Sequence, residues 1–502
     1  MDTLTHIING FNVCLTPINL WYTFIGVFLG TIIGVLPGIG PSAGIALLIP
    51  VTFGMNPTSA LIMMCGIYYG TKYGGSTTAI LIRTPGEAAS VMTSIDGYEM
   101  AKKGRAGAAL AVSAIGSFIA GTLGVVGLTI FAVPLSSMAL KFGPAEYFTL
   151  MLFAMTAVST LTGKSAAKGL LATILGLMIA TIGIDLQSGQ ARFTMGVAEF
   201  QDGVGFVVVV VGLFAVAEVF RGLEDIYSGT GAATMKITGR LWLTKEEWMR
   251  SIGPIWRGGV IGFIIGVLPG AGGTIASIMS YTTEKRMSKN PDEFGKGAIE
   301  GVAGPEAANN SDTAGAMVPL LTLGIPGGGA TAVLMGAFIM YGIQPGPLLF
   351  QNRPDLVWGL IDSMYVGNVM LLILNLPLIG IFVQLLKIPS GILYPLIIAI
   401  SVIGAYAING SMTDLYLILL FGVIGYVFDK IDIPVAPLVL SLVLGGMMEQ
   451  SFRQAMTISG GTPKIFFSSG ITITLMVMSV VSILMPFILP KLKQYREEGK
   501  DE

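Results

Sequence analysis

The chain has 502 residues, of which 53% are hydrophobic and only 11% are charged, and its mean hydropathy is +0.78. A soluble domain usually carries about 25% charged residues, so this composition argues against a soluble globular protein and indicates a membrane protein. The net charge of −1 gives no basic surface for nucleic acid. One histidine and two cysteines (Cys14 and Cys65) leave little for a metal site or nucleophilic catalysis, so we expect no enzyme and no cofactor.

Apolar runs long enough to approach the roughly 30 Å thickness of a bilayer core follow one another along the chain. In the first half they are Leu20–Leu36, Pro57–Gly70, Gly107–Leu135, Tyr147–Leu161, Gly169–Ile184 and Val204–Phe220. In the second half they are Val260–Leu268, parts of Ala314–Tyr341, Leu356–Leu386, Ile392–Ile408, Leu415–Phe428, Pro437–Met448 and Ile471–Leu489. They predict an all-α polytopic membrane protein with roughly 10–14 membrane segments. The short runs beside Gly/Pro clusters are typical of broken or re-entrant helices.

An internal repeat relates the two halves. Gly34-Val-Leu-Pro-Gly-Ile-Gly40 recurs as Gly266-Val-Leu-Pro-Gly-Ala-Gly272. Two weaker echoes follow in the same order: Ser76–Ala79 with Ser311–Ala314, and Thr84-Pro-Gly86 with Ile325-Pro-Gly327. We therefore predict a first transmembrane repeat over residues 1–222, a cytoplasmic linker over 223–253, a second repeat over 254–455, and a final transmembrane helix with a cytoplasmic tail over 456–502.

The distribution of basic residues predicts how the repeats are oriented. The polar stretch Arg221–Arg257 holds six basic residues and, by the positive-inside rule, lies in the cytoplasm. The charge-poor N-terminus then lies outside, so the first half crosses the membrane an odd number of times. The second repeat is therefore inverted relative to the first. Inverted repeats with matching broken helices are typical of secondary transporters with a central binding site; a duplicated scaffold or enzyme is the alternative.

The helix breaks are candidate sites for an anion such as a carboxylate. A broken helix exposes backbone N–H groups whose dipoles favour negative charge, and neighbouring hydroxyls add directional donors. The alternative use of these residues is close helix packing or a simple kink. The predicted substrate-binding residues are Pro37, Gly38, Gly40, Ser42, Lys72, Gly75, Ser76, Thr77, Thr78, Thr84, Pro85, Gly86, Pro269, Gly270, Gly272, Pro326 and Gly327.

A candidate cation site follows in the second half, formed by Asn309, Asn310, Ser311, Asp312 and Thr313. Asp312 is a hard oxygen ligand suited to Na⁺, or a proton acceptor, and unwound backbone carbonyls with Asn310 would complete the site. The alternative is that Asp312 caps the N-terminus of a half-helix.

Three further charged residues have open roles in the sequence. Either Lys72 or Arg83 would meet a substrate carboxylate, while the other pairs with Glu87 or reaches toward the membrane interface. Glu306, just before the Asn309–Thr313 run, is equally ambiguous.

Several motifs resemble the large membrane subunit of the tripartite tricarboxylate transporter family. They are Gly34-Val-Leu-Pro-Gly38, Tyr69-Gly-Thr-Lys-Tyr-Gly-Gly-Ser-Thr-Thr78, Thr84-Pro-Gly-Glu87, Gly266-Val-Leu-Pro-Gly-Ala-Gly272 and Gly304-Pro-Glu-Ala-Ala-Asn-Asn-Ser311. The likeness extends to about residue 490. It implies a translocating subunit in a bacterial inner membrane, a small membrane subunit as partner, and a periplasmic solute-binding protein that delivers substrate.

The resemblance also implies a mechanism. Family members are driven by ion gradients, with Na⁺ or H⁺ as the coupling ion and citrate or another carboxylate as substrate. They look related to elevator-type transporters with paired re-entrant hairpins, in which the two hydroxyl-rich stretches would bind substrate and cation. A passive organic-anion channel with the same polar core is the alternative. The sequence leaves the carboxylate, the coupling ion and the oligomeric state open.

Overall fold

The computed structural model describes residues 3–36, 38–162, 165–185, 187–228, 241–385 and 390–498. Pro37, one of the predicted site residues, and residues 229–240 of the predicted linker lie outside these ranges. The α-helices are α1 (Thr3–Cys14), α2 (Pro17–Val35), α3 (Gly40–Leu48), α4 (Pro57–Ile82), α5 (Val91–Lys102), α6 (Ala106–Ala139), α7 (Pro144–Leu161), α8 (Ala166–Ala180), α9 (Phe206–Val210), α10 (Ala217–Ser228), α11 (Lys245–Val267), α12 (Gly272–Met287), α13 (Glu300–Leu323), α14 (Gly329–Met340), α15 (Pro347–Asn352), α16 (Pro354–Asn375), α17 (Ile379–Leu385), α18 (Ser390–Asn409), α19 (Met412–Lys430), α20 (Val435–Ile458) and α21 (Gly470–Glu498).

Irregular helix and a little sheet complete the described chain. A π-helical segment, Val211–Val216, joins α9 to α10. Short 3₁₀ turns lie at Pro50–Thr52, Ala88–Ser90, Ala198–Phe200, Pro291–Glu293 and Pro463–Phe467. Two short antiparallel strands, β1 (Gly183–Ile184) and β2 (Ala191–Arg192), pair Gly183 with Arg192.

Seven helices in the described ranges are long and apolar enough to cross a membrane: Pro17–Val35, Ala106–Ala139, Phe206–Glu224, Pro354–Asn375, Gly391–Asn409, Met412–Lys430 and Val435–Ile458. Four shorter apolar helices accompany them: Gly40–Thr52, Ala166–Ala180, Gly329–Met340 and Gly470–Pro486. The prediction of an all-α polytopic membrane protein is therefore confirmed. Helices α4 and α13 are not among the seven, although they contain 26 and 24 residues, because polar residues and glycine interrupt their apolar character.

The chain forms two compact units. Unit one comprises residues 1–137 and 207–426, and unit two comprises residues 138–206 and 427–502. This division rests on contacts and does not follow the sequence repeat. The boundaries of the two repeats, and their inverted orientation in the membrane, stay predictions.

Two glycine-rich helix pairs form the centre of unit one. In α2, a Cβ at Gly26 or Gly34 would lie 2.3 Å from the carbonyl oxygen of Met63 or Thr71 in α4. In α11, a Cβ at Gly258 would lie 2.3 Å from a carbonyl oxygen of α13, as would one at Gly262 (2.2 Å) or Gly266 (2.5 Å). Small residues four apart let two helix backbones touch, as in membrane helix pairs generally. The glycine abundance thus produces two backbone-to-backbone contacts.

The two helix pairs also fix the register of the repeat. Gly34 contacts Thr71 and Gly266 contacts Asp312, so α4 and α13 are related by an offset of 241 residues (312 − 71). The same offset pairs Gly86 with Gly327, which lie against the carbonyl oxygens of Gly34 and Gly266 respectively. Residues 84–86 and 325–327, which the sequence pairs, fall at this same offset.

The echo of Ser76–Ala79 at Ser311–Ala314 is wrong. At an offset of 241 residues, the position in α13 that corresponds to Ser76 is Met317. Short strings of Ser, Thr and Ala are common in tightly packed membrane helices, so they match by chance at several registers. Contact between backbones, unlike composition, permits only one register.

Unit two contains an ion-paired loop outside its long helices. Asp185 accepts hydrogen bonds from the backbone N–H groups of Gln187 and Ser188, at 2.8 and 2.9 Å, and from the Arg453 guanidinium at 2.8 Å. The backbone N–H groups first, and then Arg453, hold the pKa of Asp185 well below its ordinary value. This carboxylate therefore ties Asp185, Gln187 and Ser188 to α20.

A lowered pKa in the folded state makes a pH-dependent contribution to stability. Such a contribution is complete above the unfolded pKa of about 3.9 and is lost as the pH falls toward the lower folded pKa. We expect Asp185→Asn to lower the melting temperature at pH 7, and we expect that deficit to shrink below about pH 4. Thermal unfolding of the unaltered protein and of Asp185→Asn from pH 3 to pH 8 measures this difference in melting temperature. A difference of equal size at every pH would contradict the expectation.

Candidate functional site

All four predicted breaks are present where the structure describes them. Helix α2 stops at Val35 and α3 starts at Gly40, while α11 stops at Val267 and α12 starts at Gly272. Helix α4 ends on Arg83 in the left-handed conformation (φ 57°), and α13 ends on Gly324 (φ 70°). Gly and Pro in the sequence thus end the helices as expected.

Within each half of unit one, the two breaks lie close together. The N–H group of Gly270 donates to the carbonyl oxygen of Gly327 at 2.8 Å. In the first half, the N–H group of Gly86 donates to Gly75 at 3.3 Å, and a Cβ at Gly86 would lie 2.3 Å from the carbonyl oxygen of Gly34. Each break therefore packs on the helix pair of its own half.

A buried polar cluster connects the two halves, and we call Lys72, Glu87, Asn309 and Asp312 the Lys72 cluster. The Lys72 ammonium donates to Asn309 Oδ1 at 2.9 Å and lies 3.2 Å from Glu87 Oε2 and 3.9 Å from Asp312 Oδ2. Asn309 Nδ2 donates in turn to Glu87 Oε1 at 2.7 Å. The backbone of Gly273, just after the second-half break, covers the cluster, because a Cβ there would lie 2.9 Å from Lys72 Nζ.

Glu306 extends this arrangement by one helical turn. Its two carboxylate oxygens accept hydrogen bonds from Ser76 and Thr93. Lys72 meets Asn309, whereas Ser76 meets Glu306, so residue numbers rise along α4 as they fall along α13. The two helices therefore run antiparallel where they touch.

The charges of this region do not balance. Lys72 is 4% exposed, and the surrounding carboxyl groups of Glu87, Asp312 and Glu306 are 9%, 2% and 0% exposed. One ammonium faces three acids in the described part of the site. A buried carboxylate without compensation is strongly unfavourable, so the region must take up protons or other cations.

Asp312 has the unused binding capacity that a cation ligand needs. Its Oδ1 atom is buried without a hydrogen-bond partner in the described structure. The alternative role as a helix cap is wrong, because Asp312 lies in the middle of α13. The expected unwound backbone at Asn309–Thr313 is also wrong: the helix is continuous there, so its carbonyl oxygens are engaged in the helix.

The structure separates the other predicted residues into two groups. Ser76 joins the site through Glu306, and Gly75, Gly86, Gly270 and Gly327 form the packed breaks. Within the described residues, ten other predicted residues form no hydrogen bond or ion pair with the Lys72 cluster, namely Gly38, Gly40, Ser42, Thr77, Thr78, Thr84, Pro85, Pro269, Gly272 and Pro326. Their part in substrate binding stays a prediction.

The two basic candidates differ clearly. Lys72 is buried in the cluster, and it pairs with Glu87. Arg83 is exposed, and its guanidinium lies 5.7 Å from the centre of the Tyr98 ring. Lys72 is therefore the basic residue of the site.

Sequence reasoning did not include Glu87, Thr93, Gly273 or Glu306 in the binding site. Glu306 carried a usable signal, because an acid within an apolar helix of a membrane protein marks a functional position by default. Thr93 carried no such signal, since a threonine is ordinary in any helix. Only the packing of α5 against α13 brings Thr93 to Glu306.

The fold and this buried site define a multi-pass membrane protein of the transporter class, with a charged centre beside paired helix breaks. The sequence model of the tripartite tricarboxylate transporter TctA family matches residues 20–440, and the chain belongs to that family. It is thus a component of a tricarboxylate transporter, corresponding to the large subunit.

Two relatives come from Agrobacterium vitis. The first is named an uncharacterized 52.8 kDa protein in the TAR-I ttuC′ 3′ region; it is 47% identical over 498 residues, covering 99% of each chain. The second, an uncharacterized protein in the TAR-II ttuC′ 3′ region, is 46% identical over 237 residues, which is 47% of this chain and 98% of the relative. No solved structure matches this chain.

Proposed function

We propose that this chain is the translocating subunit of a cation-coupled importer of small organic carboxylates such as citrate, located in a bacterial inner membrane. A small membrane subunit accompanies it, and a periplasmic solute-binding protein delivers the substrate. The observation that carries the proposal is the buried site in which one lysine faces three carboxyl groups between the two halves of unit one. Membership of the family supports the same class of substrate.

The charge imbalance supports coupling to a cation. A substrate carboxylate needs Lys72 as its counter-charge, yet Lys72 is already paired with the carboxylate of Glu87. Adding another anion to a site with a net excess of acids is unfavourable unless a cation or proton enters with it. Substrate and cation therefore bind together, and their joint binding links uptake to the ion gradient.

The helix breaks support a moving element. In secondary transporters, discontinuous helices form the binding site, and alternating access comes from rocking or gating of one bundle against the other around that site. In this proposal the segments after α4 and α13 are the gates, and α2 and α11 are the helices against which they pack.

Uptake into proteoliposomes tests the proposal. The chain and its small partner are reconstituted, the binding protein is supplied outside, and labelled tricarboxylates, dicarboxylates and aromatic acids are offered with and without an inward Na⁺ or proton gradient. We expect gradient-dependent accumulation of one class of acid. Equilibration without accumulation would instead identify a passive anion channel.

Asp312→Asn tests the coupling within the same assay. The amide keeps the shape of the side chain but removes its charge, so we expect accumulation to fall about 10-fold or more and to lose its dependence on the gradient. Asp355→Asn is the matched control, because Asp355 is an exposed acid at the start of α16. Equal gradient dependence in Asp312→Asn and the unaltered protein would remove Asp312 from the coupling mechanism.

A further inference from the structure

A cavity of about 220 Å³ lies in unit one, where the first half of α11 meets the end of α12 and the start of α13. This volume is several times the roughly 30 Å³ that one water molecule occupies in the liquid. Five charged residues line the cavity: Arg250, Arg257, Lys289, Glu284 and Glu300. None of them belongs to the Lys72 cluster, so the cavity is a different site from the candidate transport site.

The accessible charge of this cavity is positive. Arg257 donates to Glu284 from Nε and Nη2, at 2.9 and 2.5 Å. Arg250 donates to Glu300 from the same two nitrogens, at 2.7 and 2.9 Å. The side chains of Arg257 and Arg250 are still 39% and 30% exposed, whereas those of their carboxylate partners are 2% and 13% exposed. Lys289 is exposed as well. A ligand that enters the cavity therefore meets cations before it meets carboxylates.

The lining has unused hydrogen-bond donors. Within the described residues, the Nη1 groups of Arg250 and Arg257 form no hydrogen bond. Glu293 accepts from Arg250 Nη2 at 2.5 Å, but its side chain is 47% exposed, so solvent screens its charge. Ser288 and Asn290 add neutral polar side chains. Because arginine N–H groups bind phosphate oxygens well, the lining suits a phosphate group.

An exposed apolar stripe runs along α11 beside the cavity. Arg250, Pro254 and Arg257 line the cavity from one face of the helix, since residues three or four apart lie on the same side. The neighbouring face, one residue earlier and therefore about 100° around the helix, is apolar and 39% to 68% exposed. Its residues are Met249, Ile252, Trp256, Val260, Ile264 and Leu268. Such a patch on a membrane protein is suited to contact with acyl chains. Polar donors and an acyl-binding surface thus lie side by side.

The length of the stripe matches one leaflet of a bilayer. From Trp256 to Leu268 the helix rises about 18 Å, which is close to half of the roughly 30 Å hydrocarbon core. A break at Leu268 near the middle of the membrane therefore puts Trp256 at the level of the headgroups, where tryptophan is enriched. Arg257 extends toward the start of α11, because its Nη1 would lie 3.0 Å from a Cβ at Gly253. Arginines that direct their charge to the membrane interface adopt this arrangement.

The predicted side of the membrane favours an anionic ligand. The positive-inside rule predicts that the start of α11 lies in the cytoplasm, and anionic lipids give the cytoplasmic leaflet a negative surface potential. Lys285 and Arg286, in the last turn of α12, add two exposed cations beside the cavity. Basic pockets between membrane helices on this side bind phosphate headgroups.

We propose that this cavity binds the phosphate headgroup of an anionic phospholipid from the cytoplasmic leaflet, while the acyl chains lie along the apolar stripe of α11. Arg250, Arg257 and Lys289 contact the phosphate. Because α11, α12 and α13 all contribute to the region, the bound lipid holds the ends of three helices together. This binding does not depend on the proposed transport function.

Thermal unfolding of the purified, delipidated full chain in a neutral detergent tests the site. Phosphatidylglycerol is added to the micelles at constant salt, with phosphatidylcholine of the same acyl chains and inorganic phosphate as parallel arms. We expect a saturable rise in melting temperature with phosphatidylglycerol that the other two do not produce. An equal rise with phosphatidylcholine would show unspecific contact with lipid, and an equal rise with inorganic phosphate would show a site for a free anion. Either result, or no rise with phosphatidylglycerol, overturns the proposal.

Two variants locate the site. Lys289→Gln removes the most exposed cation of the lining, and we expect it to weaken the apparent affinity for phosphatidylglycerol about 5-fold. The double variant Arg257→Gln with Glu284→Gln removes the guanidinium without leaving a buried carboxylate unpaired. We expect this double variant to weaken the affinity about 10-fold or more. Its net charge equals that of the unaltered protein, so its loss of affinity reports lost hydrogen bonds rather than general attraction.

Lys285→Gln is the matched control, because Lys285 is an exposed lysine in the last turn of α12 that does not line the cavity in the described structure. Salt at 0.15 M screens charges beyond about 8 Å, so we expect a change in affinity of less than about 2-fold. Equal weakening in Lys285→Gln and Lys289→Gln would show diffuse attraction to the surface and overturn the proposal. Melting temperatures without added lipid show whether each variant is folded. If the double variant does not fold, Lys289→Gln and its control still decide.

Discussion

Replacing Lys72 with methionine should reduce the initial rate of carboxylate uptake about 100-fold or more. Methionine preserves most of the buried volume but removes the one ammonium group among Glu87, Asp312 and Glu306. Truncating one partner of a buried charge pair costs about 2–5 kcal/mol of binding free energy, and each 1.4 kcal/mol lost from binding of the substrate carboxylate corresponds to about tenfold. Uptake into proteoliposomes at saturating binding protein measures the effect.

The double variant Lys72→Met with Glu87→Gln separates folding from transport. Removing one positive and one negative charge restores the original balance, so we expect its melting temperature to recover most of what Lys72→Met loses. Uptake should remain low, because no ammonium group is left to meet the substrate. Normal uptake by the double variant would show that Lys72 serves only to neutralise Glu87. Lys102→Met, at an exposed lysine of α5, is the control for loss of a positive charge.

Replacing Gly266 with leucine should prevent the chain from folding stably. A Cβ at this position would lie 2.5 Å from the Asp312 carbonyl oxygen and 3.0 Å from the Ala316 nitrogen. These are backbone atoms, so no side chain can turn aside to make room. Overpacking usually costs about 1–3 kcal/mol, and we expect the upper end or more here. The measurements are the yield of monodisperse protein in detergent and its melting temperature.

Gly446→Leu is the matched control for that substitution. Gly446 lies within α20, and a Cβ there meets nothing within 4 Å. Leucine has the higher helix propensity, by roughly 1 kcal/mol, so this variant should be at least as stable as the unaltered protein. Equal yields and melting temperatures for the two variants would contradict the close packing of α11 on α13.

The second effect of Gly266→Leu concerns the site itself. Gly266 contacts Asp312 directly, as Gly34 contacts Thr71 in the first half. The glycine that allows the helices to touch therefore also sets the position of the acid that faces Lys72. The smaller substitution Gly266→Ala adds only one methyl group. If this variant folds, we expect reduced uptake without a large loss of stability.

The sequence by itself determined the class of the protein and the places where its helices break. Sparse charge and long apolar runs lead to membrane helices, because lipid offers no partner to exposed polar groups. The breaks at residues 36–40, 83–86, 268–272 and 324–327 could be predicted because Gly and Pro act on the backbone within a few residues. Such local effects need no knowledge of the rest of the chain.

Only the tertiary structure decided which polar residues meet. Lys72 and Asn309 are 237 residues apart in the chain, and nothing local distinguishes Lys72 from Arg83. The packing of α4 against α13 buries the first, while the end of α4 leaves the second exposed. The same packing makes Glu306 part of the site. It also sets the offset between α4 and α13 at 241 residues (312 − 71), nine more than the 232 residues (266 − 34) that separate the two copies of the first motif. Long-range contacts depend on how whole helix surfaces fit together, and a sequence pattern along one helix does not contain that information.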